Sequence, residues 1–175
     1  TLKISVTGTR TPREIKNVPA SVTVIDKNEI DSRGITDFRD LFKYEPGVSI
    51  KSDGWGYFNS HGQHNINIRG MEDNRVLLQR DDINLPKRYD FSYQLGRGDY
   101  VDFNTLKSVE ILKGPASSLY GSDALGGVVS YQSIFPEDIL KAGETFSFEL
   151  PVNYDGSSEK ISGTTRVGIR DDKTG

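Results

Sequence analysis

Two histidines in one polar segment are the residues with the clearest capacity for chemistry. His61 and His64 are the only histidines of the chain and stand at i and i+3 in the run His-Gly-Gln-His. Imidazole nitrogens bind metal ions, but the run lacks the glutamate of a zinc-protease motif, and no cysteine or carboxylate follows at a ligand spacing. The sequence therefore predicts no free metal-ion site. The two imidazoles are either solvated loop residues or ligands of a larger bound group.

The sequence gives no support to an enzyme. The chain of 175 residues contains no cysteine, which excludes thiol catalysis, iron–sulfur clusters and disulfides. The glycine-rich run from Gly114 to Gly121 is not followed by the Gly-Lys-Ser/Thr of a phosphate-binding loop. No serine, histidine and aspartate stand at a spacing typical of a catalytic triad. We therefore predict no catalytic residues.

Two long polar stretches, 52–65 and 84–102, carry aromatic side chains that could bind a ligand. These residues are Trp55, Tyr57, Phe58, Tyr89, Phe91 and Tyr93. Exposed aromatic rings suit a flat ligand such as a porphyrin, or a catechol. The alternative is that about half of them pack the loops onto the rest of the fold.

Short strands and helices must position these loops. Runs of β-branched and alternating apolar residues predict strands at 4–9, 21–25, 48–51, 65–69, 75–79, 109–112 and 128–131. The strands at 65–69 and 75–79 flank a turn. Asp26 and Glu29 have the spacing of a capping box, so a helix should begin after Asp26 and end near Gly34. A second helix should begin after Thr36, with Phe38, Leu41 and Phe42 on its buried face.

The run from Ser108 to Tyr131 has the highest density of turn signals. Its strand at 109–112 meets a break at Gly114-Pro115, a short helix is predicted at 116–120, and Gly126-Gly127 leads into the strand at 128–131. So much glycine in a short span predicts tight turns and a close approach of backbones.

The tail of the chain has a different pattern. The even-numbered positions from Thr145 to Tyr154 are apolar or aromatic, and they are Phe146, Phe148, Leu150, Val152 and Tyr154. After a turn at 155–158, Ile161, Thr165, Val167 and Ile169 alternate with polar residues. Two strands of about ten residues with one apolar face fit a transmembrane β-barrel. An ordinary soluble hairpin is the alternative. Two strands cannot close a barrel, so the first interpretation makes the tail one hairpin of a larger protein.

Composition excludes several other classes. Only 34% of the residues are hydrophobic and 18 are glycine, which favours a loop-rich α+β domain over a helical bundle. With 22 basic and 25 acidic residues the net charge is −3, so binding to nucleic acid is not predicted. No run of about 18 apolar residues is present, so no transmembrane helix is predicted. The first residues lack the pattern of a signal peptide.

Five blocks of sequence, in order, resemble the plug domain of TonB-dependent outer-membrane receptors. They are 1–10, 18–25, 41–48, 67–70 (Asn-Ile-Arg-Gly) and 108–131, and the last is similar to the family pattern VEILRGP…LYGS…GGVV. A further stretch, 75–83, departs from the family pattern. Gln79 and Arg80 replace apolar residues there and Asp82 replaces glycine, so the packing of this strand end should differ.

The resemblance implies an α+β fold, with a small mixed β-sheet and short helices as the plug, followed by a β-hairpin similar to the first two strands of the transmembrane β-barrel. We assign 1–141 to the plug domain, including its N-terminal TonB-box-like segment, and 142–175 to the hairpin. The implied location is the outer membrane of a bacterium. The implied partners are the receptor's own β-barrel and the periplasmic C-terminal domain of TonB.

The implied function is that of a gate in an energy-coupled transporter for an iron-containing ligand. The sequence segments 96–100 and 136–140 resemble the corresponding segments of heme and hemoglobin receptors, so heme or a hemoprotein is the first candidate ligand. A receptor for a ferric siderophore and a free-standing soluble plug-like binding module are the alternatives. No covalently bound cofactor is implied, and heme would be the transported ligand.

A TonB box must be an extended segment that adds as a strand to the edge of its partner, because backbone hydrogen bonds then supply the affinity. The start of the chain fits this description, with Leu2, Lys3, Ile4, Ser5, Val6, Thr7 and Gly8 as the TonB-box-like residues. The alternative is that the same residues form only the first strand of the plug.

The resemblance also implies roles for the histidines and for three charged residues. It places the histidine loop at the extracellular apex, where His64 or His61 could be one axial ligand of heme iron. Arg69, Glu110 and Lys113 come from charged blocks of the family, and Arg69 and Lys113 would pair with glutamates of the barrel wall. Lysine at 113 loses the bidentate geometry of the usual arginine. Exposed surface pairs of little energetic value are the alternative.

Overall fold

The computed structural model describes residues 4–5, 7–9, 11–17, 20–35, 38–51, 65–86, 101–156 and 159–170. It divides into two compact units, Thr1–Ser133 and Ile134–Gly175. The division falls before the domain boundary predicted at 141, which stays a prediction.

A mixed five-stranded sheet is the centre of the first unit. Its strands are β3 (Ser21–Asp26), β6 (Val76–Arg80), β7 (Ile83–Asn84), β8 (Leu106–Lys113) and β9 (Gly127–Ser133), in the order β3-β8-β9-β6-β7. Only β6 and β9 are parallel, and the other neighbours are antiparallel. Two small antiparallel sheets accompany it, with β1 (Ile4–Ser5) on β2 (Arg13–Glu14) and β4 (Val48–Lys51) on β5 (Asn65–Ile68).

Short helices connect the strands of this unit. They are α1 (Lys27–Ser32), α2 (Phe38–Phe42) and α3 (Ser117–Tyr120), with single 3₁₀ turns at Ile15–Asn17, Asp73–Arg75 and Phe103–Thr105. The predicted start of α1 is confirmed, because the Glu29 amide donates to the Asp26 carboxylate at 3.0 Å. The predicted buried face of α2 is confirmed as well. Thr36, its predicted cap, lies outside the described residues.

Alternating residues of the central strands build two cores on the two faces of the sheet. On the first face Val109, Ile111, Val129 and Tyr131 pack with the side chains of α1 and α2, and Phe38 meets the Tyr131 ring edge-on at 6.0 Å. A smaller cluster covers the second face and consists of Leu77, Leu112, Ala116, Ala124 and Val128, with Val22 and Tyr120 against it. Successive side chains of a strand point to opposite faces of the sheet, so neighbouring residues of one strand belong to different cores.

The close backbone approach predicted for the glycine pair is confirmed. A Cβ built on Gly127 would lie 2.3 Å from the carbonyl oxygen of Leu112, and one on Gly126 would lie 2.6 Å from the Cβ of Met71. Gly127 also has a φ of +151°, where residues with a side chain are strained. The start of β9 therefore reaches its place between β8 and β6 only with glycine at this position.

Most predicted strands are present, but two details differ. Strands β5 and β6 form at the predicted places, yet β5 pairs with β4 while β6 pairs with β9 and β7. The turn between them therefore connects two separate sheets. The strand predicted at 4–9 is limited to Ile4–Ser5 in the described residues, and residues 7–9 form a turn.

Polar partners explain the unusual residues at the end of β6. Gln79 is buried and donates to the Ser130 hydroxyl at 3.0 Å, while Arg80 donates to the hydroxyls of Ser133 at 3.0 Å and Thr105 at 3.1 Å. The β6–β7 turn uses Asp81 and Asp82 in left-handed conformation, with φ of 49° and 65°. Glycine is favoured in such turns. Hydrogen bonds thus replace the apolar packing of the family pattern at this strand end.

The second unit consists of one short helix and one long antiparallel hairpin. The helix is α4 (Pro136–Ile139), and the strands are β10 (Phe146–Glu149), β11 (Val152–Asp155), β12 (Lys160–Gly163) and β13 (Arg166–Ile169). Strand β10 pairs with β13 and β11 with β12. Pro151 has no N–H and interrupts the ladder, but its carbonyl still accepts from Thr164 at 3.1 Å. The two predicted strands of about ten residues are therefore present in one continuous register.

Among the described residues, no helix is both long enough and apolar enough to cross a membrane.

Candidate functional site

The predicted ligand-binding residues belong to segments that the structure does not describe. His61, His64, Trp55, Tyr57 and Phe58 lie outside the described residues, and so do Tyr89, Phe91 and Tyr93. Their role stays a prediction. In the described part of the chain no group of three histidine, cysteine or acidic side chains could hold a metal ion.

Part of the TonB-box-like segment is already paired within the chain. Ile4 faces Glu14 and Ser5 faces Arg13 in the small sheet of β1 and β2. Leu2, Lys3 and Val6 lie outside the described residues. A partner that adds a strand to this segment would therefore use the edge of β1 away from β2 or displace β2 from it.

Thr7, at the end of this segment, is held by two side chains from distant parts of the chain. Its N–H donates to the Glu110 carboxylate at 2.8 Å, and its carbonyl accepts from the Tyr120 hydroxyl at 2.9 Å. Thr7 is 2% exposed and Glu110 is 4% exposed. The predicted charged residue Glu110 thus binds the backbone of the N-terminal segment in this structure.

Lys113 forms a buried ion pair within the first unit. Its ammonium lies 3.3 Å from the Glu45 carboxylate and 3.3 Å from the Pro46 carbonyl, to which it also donates. Both charged side chains are 8% exposed. Glu45 follows α2, so this pair fixes the end of that helix to the end of β8.

Arg69 has a different environment from the other two predicted charged residues. It is exposed, adopts a left-handed φ of 50°, and donates its backbone N–H to the Gly47 carbonyl at 2.8 Å. Its side chain lies across two glycines, since a Cβ on Gly47 would be 3.4 Å from the Arg69 Cγ and one on Gly114 would be 3.9 Å from Nη1. The lack of side chains at both glycines leaves room for the guanidinium.

Three residues of these arrangements were not identified from the sequence. Tyr120 stands in the glycine-rich run that carries the family resemblance, but its hydroxyl contact with Thr7 spans 113 positions. Glu45 and Ser130 show no local pattern that distinguishes them from surface residues. A search for acidic partners of Lys113 could have suggested Glu45, because lysine is rarely buried without one.

The hairpin of the second unit leaves a large apolar face exposed. Cross-strand pairs on this face join Phe146 to Ile169, Phe148 to Val167 and Tyr154 to Ile161. The exposed fractions of the eight large apolar side chains run from 49% for Val167 to 72% for Ile161. Their full list is Phe146, Phe148, Leu150, Val152, Tyr154, Ile161, Val167 and Ile169.

The opposite face of the hairpin is polar or covered by the helix. Arg166 pairs with Glu149 across the strands at 3.1 Å. Gly168 is buried, and a Cβ there would lie 3.1 Å from the Cγ of Leu140 beside α4. A contiguous apolar face of this size normally marks a contact with protein or with membrane.

Comparison with known proteins identifies the family. A family model described as TonB-dependent Receptor Plug Domain matches residues 14–128. Transferrin-binding protein A of Haemophilus influenzae is 31% identical over 177 residues, which cover 94% of this chain and 19% of that protein. A hemin receptor of Yersinia pestis is 28% identical over 179 residues, which cover 95% of this chain and 25% of that protein.

The fold is similar to that of solved receptors. The pyoverdine outer-membrane receptor FpvA of Pseudomonas aeruginosa PAO1, bound to pyoverdine, superposes with a TM-score of 0.69 at 20% identity, covering 97% of this chain and 22% of that chain. This likeness confirms the predicted α+β plug fold. The chain spans only 19% and 25% of the length of the two curated relatives, transferrin-binding protein A and the hemin receptor.

The family match covers most of the first unit, including the glycine-rich connection between β8 and β9. The predicted resemblance and the predicted location in the bacterial outer membrane are thereby confirmed. The chain belongs to the plug-domain family of TonB-dependent receptors.

Proposed function

We propose that this chain gates the uptake of an iron-containing ligand through the outer membrane and that its movement is driven by TonB. The observation that carries the proposal is the plug-family match over residues 14–128, together with relatives named hemin receptor and transferrin-binding protein A. A plug acts by binding and moving, so the gate needs no catalytic residue.

The TonB-binding segment is proposed to be residues 2–8. The pairing of Ile4–Ser5 with β2 supports this, because these two residues already have the extended conformation that strand addition needs. In the described part of the chain, a two-residue ladder and two side-chain hydrogen bonds to Thr7 attach the segment to the first unit. A partner that pulls on this segment would act on these contacts.

Heme, free or delivered by a hemoprotein, is the first candidate ligand. The hemin receptor of Yersinia pestis supports it, and so do the two histidines placed three positions apart. Neutral imidazole is a common axial ligand of heme iron. A ferric siderophore is the second candidate, favoured by the fold likeness to a pyoverdine receptor and by the aromatic residues of 52–65 and 84–102.

Heme titration of the full-length receptor, followed by absorbance, tests the ligand. His64→Ala should weaken heme binding more than His61→Ala, because His64 directly precedes β5 in the sequence. The double change should remove the low-spin heme band, and the same cells should lose growth on heme as iron source. Removing one axial ligand of two leaves only weak binding through the enclosing surface.

The outcome that contradicts the heme proposal is a low-spin band of unchanged affinity in the double variant. The histidines would then be bystanders, and ferric siderophores would be titrated next. A receptor that binds neither class, and a chain found without a barrel in cells, would favour a free-standing soluble binding module.

The apolar face of the hairpin is proposed to contact lipid. The 57% exposure of Leu150 supports this, because an apolar side chain so open to solvent needs a cover. Leu150→Lys near the bilayer midplane should cost about 2–4 kcal/mol of barrel stability. Ser147→Lys places the same charge on the other face, and as the matched control it should be nearly neutral. Equal losses in urea unfolding of the two variants in lipid would exclude the assignment.

Contacts between the plug and the barrel wall remain a proposal for the three charged residues. Arg69 is the best placed of them, because its side chain is exposed. Glu110 and Lys113 bind within the first unit in this structure, so a wall contact would require them to change partners. The assignment of 1–141 to the plug and 142–175 to the hairpin is proposed on the same basis.

A further inference from the structure

We propose that Glu110 and Tyr120 form a latch that holds the N-terminal segment on the second face of the central sheet. Tension applied to this segment opens the latch before the tension reaches strand β3. The inference rests on the proposed function in one respect, since TonB is the partner that would apply the tension. The latch itself is a property of the resting plug.

The latch acts on a single residue. Both backbone polar groups of Thr7 are bound, the N–H by the Glu110 carboxylate at 2.8 Å and the carbonyl by the Tyr120 hydroxyl at 2.9 Å. Thr7 lies in a turn and not in a strand, yet it is only 2% exposed. Two side chains therefore supply the hydrogen bonds that the backbone of a neighbouring strand supplies to a residue in a sheet.

The two latch residues are themselves held in place. Glu110 stands in the middle of β8, where it faces Val24 of β3 and Ser130 of β9. Tyr120 ends α3 and packs against the apolar cluster of the second face. Glu110 and Tyr120 are thus fixed by the central sheet and its apolar cover, and they hold the N-terminal segment at Thr7.

The position of Thr7 in the chain sets the order of opening. Tension applied at Ile4–Ser5 reaches Thr7 before it reaches β3, which begins at Ser21. Strand β3 is paired with β8 over six residues, from Ser21 opposite Lys113 to Asp26 opposite Ser108. Two side-chain hydrogen bonds on one residue yield before a ladder of this length. The latch is therefore the first element of the sheet region to open.

The surroundings of Glu110 make opening of the latch unfavourable in the absence of tension, and they allow the latch to close again. Release of Thr7 removes a donor from a carboxylate that is 4% exposed, and a buried acceptor that loses a donor is destabilised. The neighbouring Ser130 is also polar, and its hydroxyl accepts from Gln79 at 3.0 Å and Gln132 at 3.1 Å. Water can bind along this polar row when the segment leaves, so the sheet beneath it need not collapse.

The test is the rate at which a maleimide labels a cysteine at position 7 in the purified full-length receptor, without TonB or ligand. Thr7→Cys leaves the latch intact, because the latch uses only backbone groups of Thr7 and its hydroxyl has no hydrogen-bond partner among the described residues. Adding Tyr120→Phe removes one hydrogen bond and should speed labelling roughly threefold to tenfold. Adding Glu110→Leu should speed labelling at least as much, since it removes a carboxylate, and hydrogen bonds to carboxylates are stronger than those between neutral groups.

Conservative and matched variants separate a latch from general loss of structure. Glu110→Gln keeps an acceptor oxygen and should label more slowly than Glu110→Leu. Tyr44→Phe removes the hydroxyl of an exposed tyrosine in the same unit and should change nothing. A cysteine at Val129, fully buried on the other face, should stay equally protected in all of these variants.

Labelling at position 7 that does not change with Tyr120→Phe and Glu110→Leu would overturn the latch. An equal rise in labelling at positions 7 and 129 would also overturn it, because Glu110 and Tyr120 would then stabilise the whole fold and not only the N-terminal segment. Neither result depends on uptake, so the proposed function stands or fails separately.

Discussion

Replacing Gly127 by alanine is expected to loosen the junction of β8 and β9 more than a methyl group added at any other glycine that the structure describes. The new Cβ would lie 2.3 Å from the Leu112 carbonyl oxygen, a backbone atom in a central strand, and 3.0 Å from the Cδ1 of Ile68. The φ of +151° adds strain for any residue with a side chain. Together these effects should cost about 3–5 kcal/mol.

Hydrogen exchange of the β8 and β9 amides in the full-length receptor measures this loss, because it reports local opening without requiring the barrel to unfold. Amides of these strands should exchange roughly a hundredfold faster or more. Gly121→Ala is the matched control, since Gly121 has a φ of +83° but nothing within 4 Å of its Cβ position. It should cost about 1–3 kcal/mol, from backbone strain alone, because its ψ of −172° lies outside the left-handed helical region. Equal effects of the two changes would contradict the close contact seen here.

Breaking the Lys113–Glu45 pair is expected to have the second largest effect. Lys113→Met leaves the Glu45 carboxylate 8% exposed without its cation, and it removes a donor from the Pro46 carbonyl. Removing one partner of a buried ion pair typically costs about 3–5 kcal/mol. The expected result is faster hydrogen exchange around α2 and β4, which Glu45 and Pro46 connect.

A double change distinguishes loss of the pair from loss of packing. Lys113→Met combined with Glu45→Met should recover most of the protection, because two apolar groups in contact need no charged partner. The coupling between the two sites is read from the double-mutant cycle. Additive losses, with the double variant worse than either single one, would indicate that the two charges do not interact in the native receptor.

Local patterns were enough to predict most of the elements of the fold. The capping residue Asp26, the apolar face of α2 and the glycine pair before β9 all act over a few residues, and each was found where expected. The partners of β5 and β6 were not predictable in this way. Both strands fit a hairpin around a turn, and only the distant strands β4 and β9 decide which sheet each one joins.

The candidate site was less accessible to sequence reasoning, for a physical reason. Glu110 and Lys113 were identified as notable charges, but their partners Thr7 and Glu45 are 103 and 68 positions away. Periodicity and spacing carry no information on contacts of that range. The unusual Gln79 pointed to altered packing, yet its partner Ser130 became apparent only with the strand order.

Energy coupling through the N-terminal segment is the central claim, and the most direct measurement compares ligand binding with uptake in cells that produce the full-length receptor. Ile4→Pro should abolish uptake and leave surface binding intact, because proline removes the backbone donor that a partner strand needs. Ile4→Val keeps that donor and should transport as well as the parent. Uptake by Ile4→Pro at the parental rate would contradict the claim.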